Sequence, residues 1–396
     1  MRVRLFNAKY SPNLGDGLLS ECLEKALIEN GCSHSGTYSI DVAGRTEYTP
    51  GGTSRSSVLR LLHIMPAKIR RLLLKLPLAV AAKFKWKPHY RAHLENADAV
   101  VIGGGNLFAD LDLNFPTKLS LLLDEAKRRR LPVLIYGVGV SSTWSDKGVN
   151  MLRNSMKGSH IPYVAVRDHD SKENFDKRFG TTLGREAIVV RDPGLLISRF
   201  VGGLSQTDHV RTVIGLCVTG AVAVRYHSTY QIEDSYLEAW YSSLYNEMTR
   251  AGYAVQLFTN GSPEDVEAAK RVVRRLALDG VSPNLKPCLR PNDPSELAAL
   301  ISTCALVIGF RMHALIAAYS YGREIIALRW DRKLDSFMTS VGLGDWIVWP
   351  GDTSPQMVVD RANELLLEKK NLDGIAVVEA FEDAANLSKE IQALKK

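Results

Sequence analysis

The feature that most constrains this chain is a series of short runs that are apolar at nearly every position. Val3 to Asn7, Tyr38 to Val42, Ala99 to Ile102, Pro132 to Tyr136, Tyr163 to Arg167 and Ala187 to Pro193 form a first group. A strand with one wet face alternates apolar and polar residues. These runs do not, so they predict strands covered on both faces, and hence parallel sheet. Helical patterning lies between them, at Leu18 to Asn30 and Lys118 to Arg130. The pattern breaks at Gly202-Gly203-Leu204-Ser205 and then restarts. Strands are expected at Thr212 to Val218, Ala254 to Thr259, Ala305 to Ile308 and Glu324 to Leu328, and helices at Ser235 to Ala251, Glu264 to Leu278, Pro294 to Cys304 and Met312 to Tyr321. The 396 residues also exceed one domain of ordinary size. The expected fold class is α/β, with two doubly wound Rossmann-like domains at 1–204 and 205–350 and a helical tail at 351–396. Ligands of such sheets sit beyond the carboxyl ends of the strands, so two facing domains would form a site in the cleft between them.

Other classes drop out. Five widely spaced cysteines without a Cys-x-x-Cys pair point to a reducing compartment and offer no metal or redox motif. Lys9 arrives before any apolar run of signal-peptide length, and no run approaches the ~20 residues of a membrane span, so the expected location is cytoplasmic. The sequence has no Gly-x-Ser-x-Gly elbow and no Walker loop.

The net charge of +7 is concentrated. No acid lies between Glu47 and Glu95, where ten basic residues are found, among them Arg70, Arg71, Lys75, Lys83 and Lys85. A nucleic-acid protein spreads cations over its binding face, but this excess is mixed with Leu, Val, Phe84 and Trp86. A basic amphipathic insert at about 50–93 suits the inner face of an anionic membrane, with Arg70, Arg71, Lys75, Lys83, Lys85 and Trp86 as contacts. The alternative is a helical pair that covers its own domain's sheet.

Several strand ends carry polar residues able to converge on an anion. Asn13-Leu14-Gly15-Asp16 puts a carboxylate before a helix, either as its N-cap or as a catalytic group. Gly103-Gly104-Gly105-Asn106 and Gly137-Val138-Gly139 leave backbone amides open to an anion. Arg167-Asp168 follows a strand, and a guanidinium there needs either an internal acid or an external anion. Gly309-Phe310-Arg311-Met312-His313 sets a cation and a group titrating near neutrality at a helix start. Lys333 adds a cation at the same edge. Asp110-Leu111-Asp112 resembles the acidic pair of a metal-nucleotide motif, and no His, Cys or carboxylate cluster has metal-ligand spacing. Residues alone lead to a two-domain enzyme acting on a phosphorylated or carboxylated small molecule.

In their order, these motifs resemble the polysaccharide pyruvyl transferase family. The resemblance runs through Asn13 to Asp16, Val100 to Gly105, Val164 to Asp168 with Ser171, Asp192-Pro193, Gly309 to Ala317 and Lys333. It implies a GT-B-like fold and transfer of a pyruvyl group from phosphoenolpyruvate to a sugar of a surface polysaccharide or its lipid-linked precursor. A pyruvate ketal forms and phosphate leaves, with phosphoenolpyruvate as donor substrate and no cofactor. Carried onto this chain, it makes His313, Asp16 and Arg311 catalytic. Arg167, Arg311, Lys333, Gly104, Gly105 and Asn106 bind the donor, and Asn13 and Asp16 the acceptor. The basic insert is not part of the resemblance. Two rivals stay open: a nucleotide-sugar glycosyltransferase with Glu324 on the ribose, and a non-catalytic membrane scaffold.

Overall fold

The computed structural model describes residues 1–49, 76–110, 112–203, 212–227, 231–368 and 374–395. The first group of apolar runs becomes strands β1 (Val3–Asn7), β2 (Tyr38–Asp41), β3 (Ala99–Gly103), β4 (Val133–Val138), β5 (Tyr163–Val166) and β6 (Ile188–Val189). The second becomes β7 (Val213–Cys217), β8 (Ala254–Phe258), β9 (Leu306–Gly309), β10 (Glu324–Leu328) and β11 (Ile347–Val348). Every pairing is parallel, giving two separate sheets of order β2-β1-β3-β4-β5-β6 and β11-β10-β9-β7-β8. Both orders reverse direction once, between β1 and β3 in the first sheet and between β7 and β9 in the second. Such reversal points open a crevice at the carboxyl ends of the strands.

Helices cover both sheets. In chain order these are α1 (Leu14–Glu29), α2 (Lys87–His93), α3 (Asn114–Arg128), α4 (Asp146–Met156), α5 (His169–Phe175), α6 (Ala221–His227), α7 (Asp234–Arg250), α8 (Pro263–Leu278), α9 (Pro294–Ser302), α10 (Met312–Ser320), α11 (Arg332–Ser340), α12 (Pro355–Glu368) and α13 (Ile375–Ala393). The faces of β1 separate as the two-residue period requires: Val3 and Leu5 join one core with Leu23 and Leu134, and Phe6 joins another with Ile102 and Leu119. Helix α1 belongs to both halves, because Leu14, Leu18, Cys22 and Ala26 pack into the core of the second sheet. The last helix, α13, returns to the first half, where Leu387 and Ile391 join the core of Val3 and Leu5.

Three expectations change. Helix α1 starts four residues before Leu18, because Asn13 caps it by accepting a hydrogen bond from the Gly15 amide at 3.3 Å; glycines 15 and 17 mask a helical turn that the cap establishes. The strand expected from Ala187 to Pro193 shrinks to two residues, since Asp192 instead caps a 3-10 turn at Pro193–Leu196. Helices α4 and α11 appear where none was expected, capped by Ser145 and Asp331.

The described part of the insert is helical from residue 76, with a π-turn at Ala82–Trp86 leading into α2. Arg70, Arg71 and Lys75 lie outside the described residues. Trp86 is no surface contact: it is buried, its Nε1 donates to the Ala43 carbonyl at 3.2 Å, and the Lys118 ammonium lies 5.0 Å from its ring. An indole with a polar handle is retained inside when that handle finds an acceptor. Lys83 and Lys85 are exposed, as are Leu76, Val80 and Phe84 at 73%, 49% and 70%.

Candidate active site

The reversal point of the first sheet brings together the ends of β1 and β3. Asp16 sits in the first turn of α1, and Asn13, not Asp16, is the cap, which leaves the carboxylate free for other work. Asn13 uses its side-chain oxygen for that cap. Beyond β3, Gly104 and Gly105 hold φ of 75° and 66°, and the Gly139 amide donates to the Gly105 carbonyl at 2.8 Å, tying this loop to the one after β4. A side chain at Gly105 would stand 3.6 Å from the Asp16 carboxylate, so loop and acid are neighbours.

Arg167 leaves the end of β5 almost fully buried, flanked by Asp168 at 3.4 Å and Asp192 at 3.6 Å. Asp168 is shared, since it also caps α5 by accepting from the Ser171 amide at 2.6 Å. A Cβ placed on Gly139 would meet Arg167 Nη2 at 2.9 Å and Asn106 Oδ1 at 3.0 Å, so guanidinium and amide lie over the same glycine. Lys333, from α11 of the second half, donates to that Asn106 Oδ1 at 2.7 Å. Burial, reinforced by the Arg167 charge, pulls the Lys333 ammonium down to about 8.

The reversal point of the second sheet lies between the ends of β7 and β9, and Arg311 is placed there as the residue that opens α10. Its Nε donates to Asp265 Oδ2 at 2.7 Å, while Asp265 Oδ1 accepts the Gly220 amide at 3.0 Å, so one carboxylate joins the loop after β7, α8 and the guanidinium. Burial opposes the charge on Arg311, but Asp265 and Glu264 outweigh it and keep the group cationic. Its Nη2 is buried and has no hydrogen-bond partner among the described residues, the Glu264 carboxylate standing off at 3.7 Å. A guanidinium nitrogen left without a hydrogen bond inside a protein is costly and suits a site that receives an anion.

His313 lies between the two halves. A Cβ on Gly15 would come 2.6 Å from the His313 Cβ, so α1 and α10 meet here only because residue 15 has no side chain. The imidazole Nδ1 is 3.9 Å from Asp16 Oδ1, beyond hydrogen-bond reach, and Nε2 is buried without a partner among the described residues. Burial pushes the imidazole down to about 4; Asp16 opposes the shift, and the charges of Arg167 and Arg311 add to it. His313 is therefore neutral at pH 7, with both arginines close enough to act on it.

Asp16, Gly105, Asn106, Arg167, Arg311, His313 and Lys333 thus converge. Glu324 does not: it opens β10, paired with Leu306 at the start of β9, at the opposite end of the strands from Arg311. That end cannot serve a ribose bound at the start of α10, which removes the acid expected for a nucleotide sugar. Asp110 is taken up by its own loops, accepting from the Ser145 and Leu113 amides at 2.8 and 3.0 Å. Among the described residues, no three His, Cys, Asp or Glu side chains gather at metal-ligand spacing. Asp265, which holds Arg311, was not singled out in the sequence, and Asp192 was named there only within the family motif, not as the partner of Arg167. An Asp before proline or in the first turn of a helix is routine capping chemistry, and only the fold reveals which cation each one faces.

Comparison with known proteins adds independent findings. The profile described as polysaccharide pyruvyl transferase matches residues 13–332. The amylovoran biosynthesis protein AmsJ of Erwinia amylovora is 26% identical over 261 residues, covering 63% of this chain and 61% of that protein. The chain thus spans about three fifths of that relative's length. Among solved structures, S. aureus MnaA with UDP aligns at TM-score 0.57 and 12% identity, covering 98% of this chain and 94% of that one. The UDP-GlcNAc 2-epimerase of Neisseria meningitidis bound to UDP-GlcNAc aligns at 0.52 and 13%, over 99% and 98%, and that of Methanocaldococcus jannaschii at 0.53 and 13%, over 93% of each chain. These likenesses are of fold: two parallel sheets flanked by helices.

Proposed function

The chain belongs to the polysaccharide pyruvyl transferase family, and from that premise we propose that it moves the pyruvyl group of phosphoenolpyruvate onto two hydroxyls of a sugar. The acceptor is a unit of a surface polysaccharide or of its lipid-linked precursor, and the products are a pyruvate ketal and phosphate. Donor and acceptor meet in a cleft between two Rossmann-like lobes, the first on the acceptor side and the second on the donor side. The observation that carries this reading is the convergence of Arg167 and Arg311 on His313, with Lys333 beside Arg167 and Asn106. A small molecule with a carboxylate and a phosphate needs cations from more than one direction, and guanidinium groups match both anions with paired donors.

The chemistry requires a proton on the donor's methylene carbon, attack of one hydroxyl at C2, departure of phosphate and closure by the second hydroxyl. The proton lost by the first hydroxyl balances the one given to the methylene, and the proton of the second leaves with phosphate. Asp16 is the base for the acceptor, and His313 is the acid. His313 is neutral before the donor arrives; donor anions offset Arg167 and Arg311, two of the three influences that depress it, and so load it with the proton it delivers. Positioned proton transfer is worth ~10²- to 10⁴-fold. Arg311, aimed by Asp265, stabilises charge on the departing phosphate. The Gly104-Gly105 backbone and Asn106 complete the donor pocket.

Among the described residues no helix is long and apolar enough to cross a membrane. Leu76, Val80 and Phe84 recur every fourth residue and are exposed, with Lys83 and Lys85 beside them in a segment without acids. Apolar side chains ringed by cations suit an anionic bilayer, where a lipid-linked acceptor would be found.

The test is thermal shift with phosphoenolpyruvate against UDP-sugars, followed by phosphate release with a lipid-linked or polymeric acceptor. Stabilisation by the UDP-sugar alone would overturn the donor assignment. Normal turnover by His313→Ala would overturn the role of the imidazole.

A further inference from the structure

Beside the converged cations, on the first half, an open cavity of about 600 Å³ is used by none of the steps above. Its walls include Trp144 from the loop after β4, Asp146, Asn150 and Arg153 on α4, and Lys177 and Arg178 from the turn after α5. It is tied to the site through Ser141. Asn106, which holds Lys333, donates through Nδ2 to Ser141 Oγ at 3.3 Å, and Trp144 Nε1 donates to the carbonyl of the same Ser141 at 2.8 Å. One residue therefore stands between the donor pocket and the indole.

The cavity is prepared for a particular chemistry. Trp144 is fixed by its bond to Ser141 and by an edge-on contact with Phe179, ring centres 5.5 Å apart. An indole held in place before binding loses little rotamer freedom and offers a flat apolar surface to the C–H side of a sugar ring. Asp146 and Asn150 lie one turn apart on α4 and offer an acceptor and a mixed donor-acceptor to hydroxyls. Three cations face one acid. Arg153 donates to the Arg178 carbonyl at 2.6 Å, and Arg178 donates to Asn174 and Ser142 oxygens, so both guanidiniums are oriented by uncharged groups. Lys177 has no ion-pair partner among the described residues. Oriented but unneutralised cations attract an anion.

We propose that this cavity is an acceptor subsite for an acidic saccharide: a sugar ring laid on Trp144 whose carboxylate or phosphate is taken by Arg153, Lys177 and Arg178, one unit away from the sugar that receives the ketal. The inference rests on the acceptor being a saccharide and adds that it carries negative charge next to the modified unit. Two sources share this chemistry, a uronate within the polymer and the diphosphate that joins a glycan to its lipid.

The test uses the full chain with ¹⁵N-labelled tryptophan, the Trp144 indole signal being assigned with Trp144→Phe. Trigalacturonate, maltotriose and inorganic pyrophosphate are titrated separately. A shift of the Trp144 signal by trigalacturonate, with affinity at least tenfold weaker in Lys177→Glu, supports a uronate. The same behaviour with pyrophosphate supports the diphosphate. Maltotriose binding as tightly as trigalacturonate, an unmoved Trp144 signal with both anions, or affinities unchanged in Lys177→Glu would each overturn the proposal. Lys177 is exposed, so that variant folds, and stabilisation by phosphoenolpyruvate on the same samples reports the donor reading separately.

Discussion

Asp265 Oδ2 lies 2.7 Å from Arg311 Nε, both groups buried, so the aim of the guanidinium is set before any ligand is present. Asp265 touches no substrate in the proposed reaction and acts as a positioning residue. Asp265→Asn keeps the size of the side chain and its bond to the Gly220 amide but releases Arg311, and a misplaced group costs ~10²-fold in rate. We expect kcat to fall on that order with a smaller change in the KM for phosphoenolpyruvate. Arg311→Lys should lose both. Parent kinetics in Asp265→Asn would show that Arg311 needs no aiming.

Binding of phosphoenolpyruvate should take up a proton. The imidazole of His313 stands at about 4 in the free protein, and the donor's charges oppose the arginines that help to hold it there. Calorimetry in buffers of different ionisation enthalpy should report net uptake around neutral pH, and His313→Gln should abolish it. The same shift sets a stability slope. An imidazole whose folded value is below its unfolded value of ~6.5 contributes fully above ~6.5, and its contribution is lost as pH falls toward about 4. Denaturant titrations across that window should be flatter for His313→Gln.

Lys333 predicts the alkaline limb. Its ammonium is drawn down to about 8, so free enzyme loses this cation above that pH, and kcat/KM for phosphoenolpyruvate should fall about tenfold per pH unit beyond it. Lys333→Arg, which cannot deprotonate in this range, should keep the limb flat to higher pH. An unchanged limb would assign the titration to another group.

Gly15 has a steric role that can be measured. An alanine there would put its Cβ 2.6 Å from the His313 Cβ and 2.9 Å from Nδ1, closer than atoms tolerate. Gly15→Ala should cut turnover by ~10²-fold while far-UV circular dichroism stays unchanged, because Ala suits a helix better than Gly. Full activity would mean that the halves move apart without cost.

Membrane contact separates into apolar and ionic parts. With phosphatidylglycerol vesicles, Lys83→Ala with Lys85→Ala should weaken sedimentation about 10- to 30-fold, from ~1 kcal/mol per cation. Leu76→Ser with Phe84→Ser should weaken binding further at high salt. Equal binding to phosphatidylcholine vesicles would remove the anionic surface as partner.

Much of this was legible in the residues. A uniformly apolar run such as β3, Ala99–Gly103, announces a doubly covered strand, and Arg311 and His313 follow β9 directly, so strand-end logic finds them. Trp86 misled because a tryptophan among lysines has the same pattern on a bilayer as over a neighbouring sheet, and only the Ala43 carbonyl within reach decides between them. That Asp192 and Asp265 hold the two arginines stayed hidden because a pairing across the sheet order has no local signature. The Lys333–Asn106 contact joins residues from different halves, which no spacing records.

The return of α13 to the core of Val3 and Leu5 means that the two halves are laced rather than strung. Neither is a cassette that evolution or an engineer can exchange alone. Trimming the last helix would strip cover from the opening strand at the far end of the sequence, and any swing that frees Lys333 from Asn106 must turn about the strip where the chain crosses over and comes back.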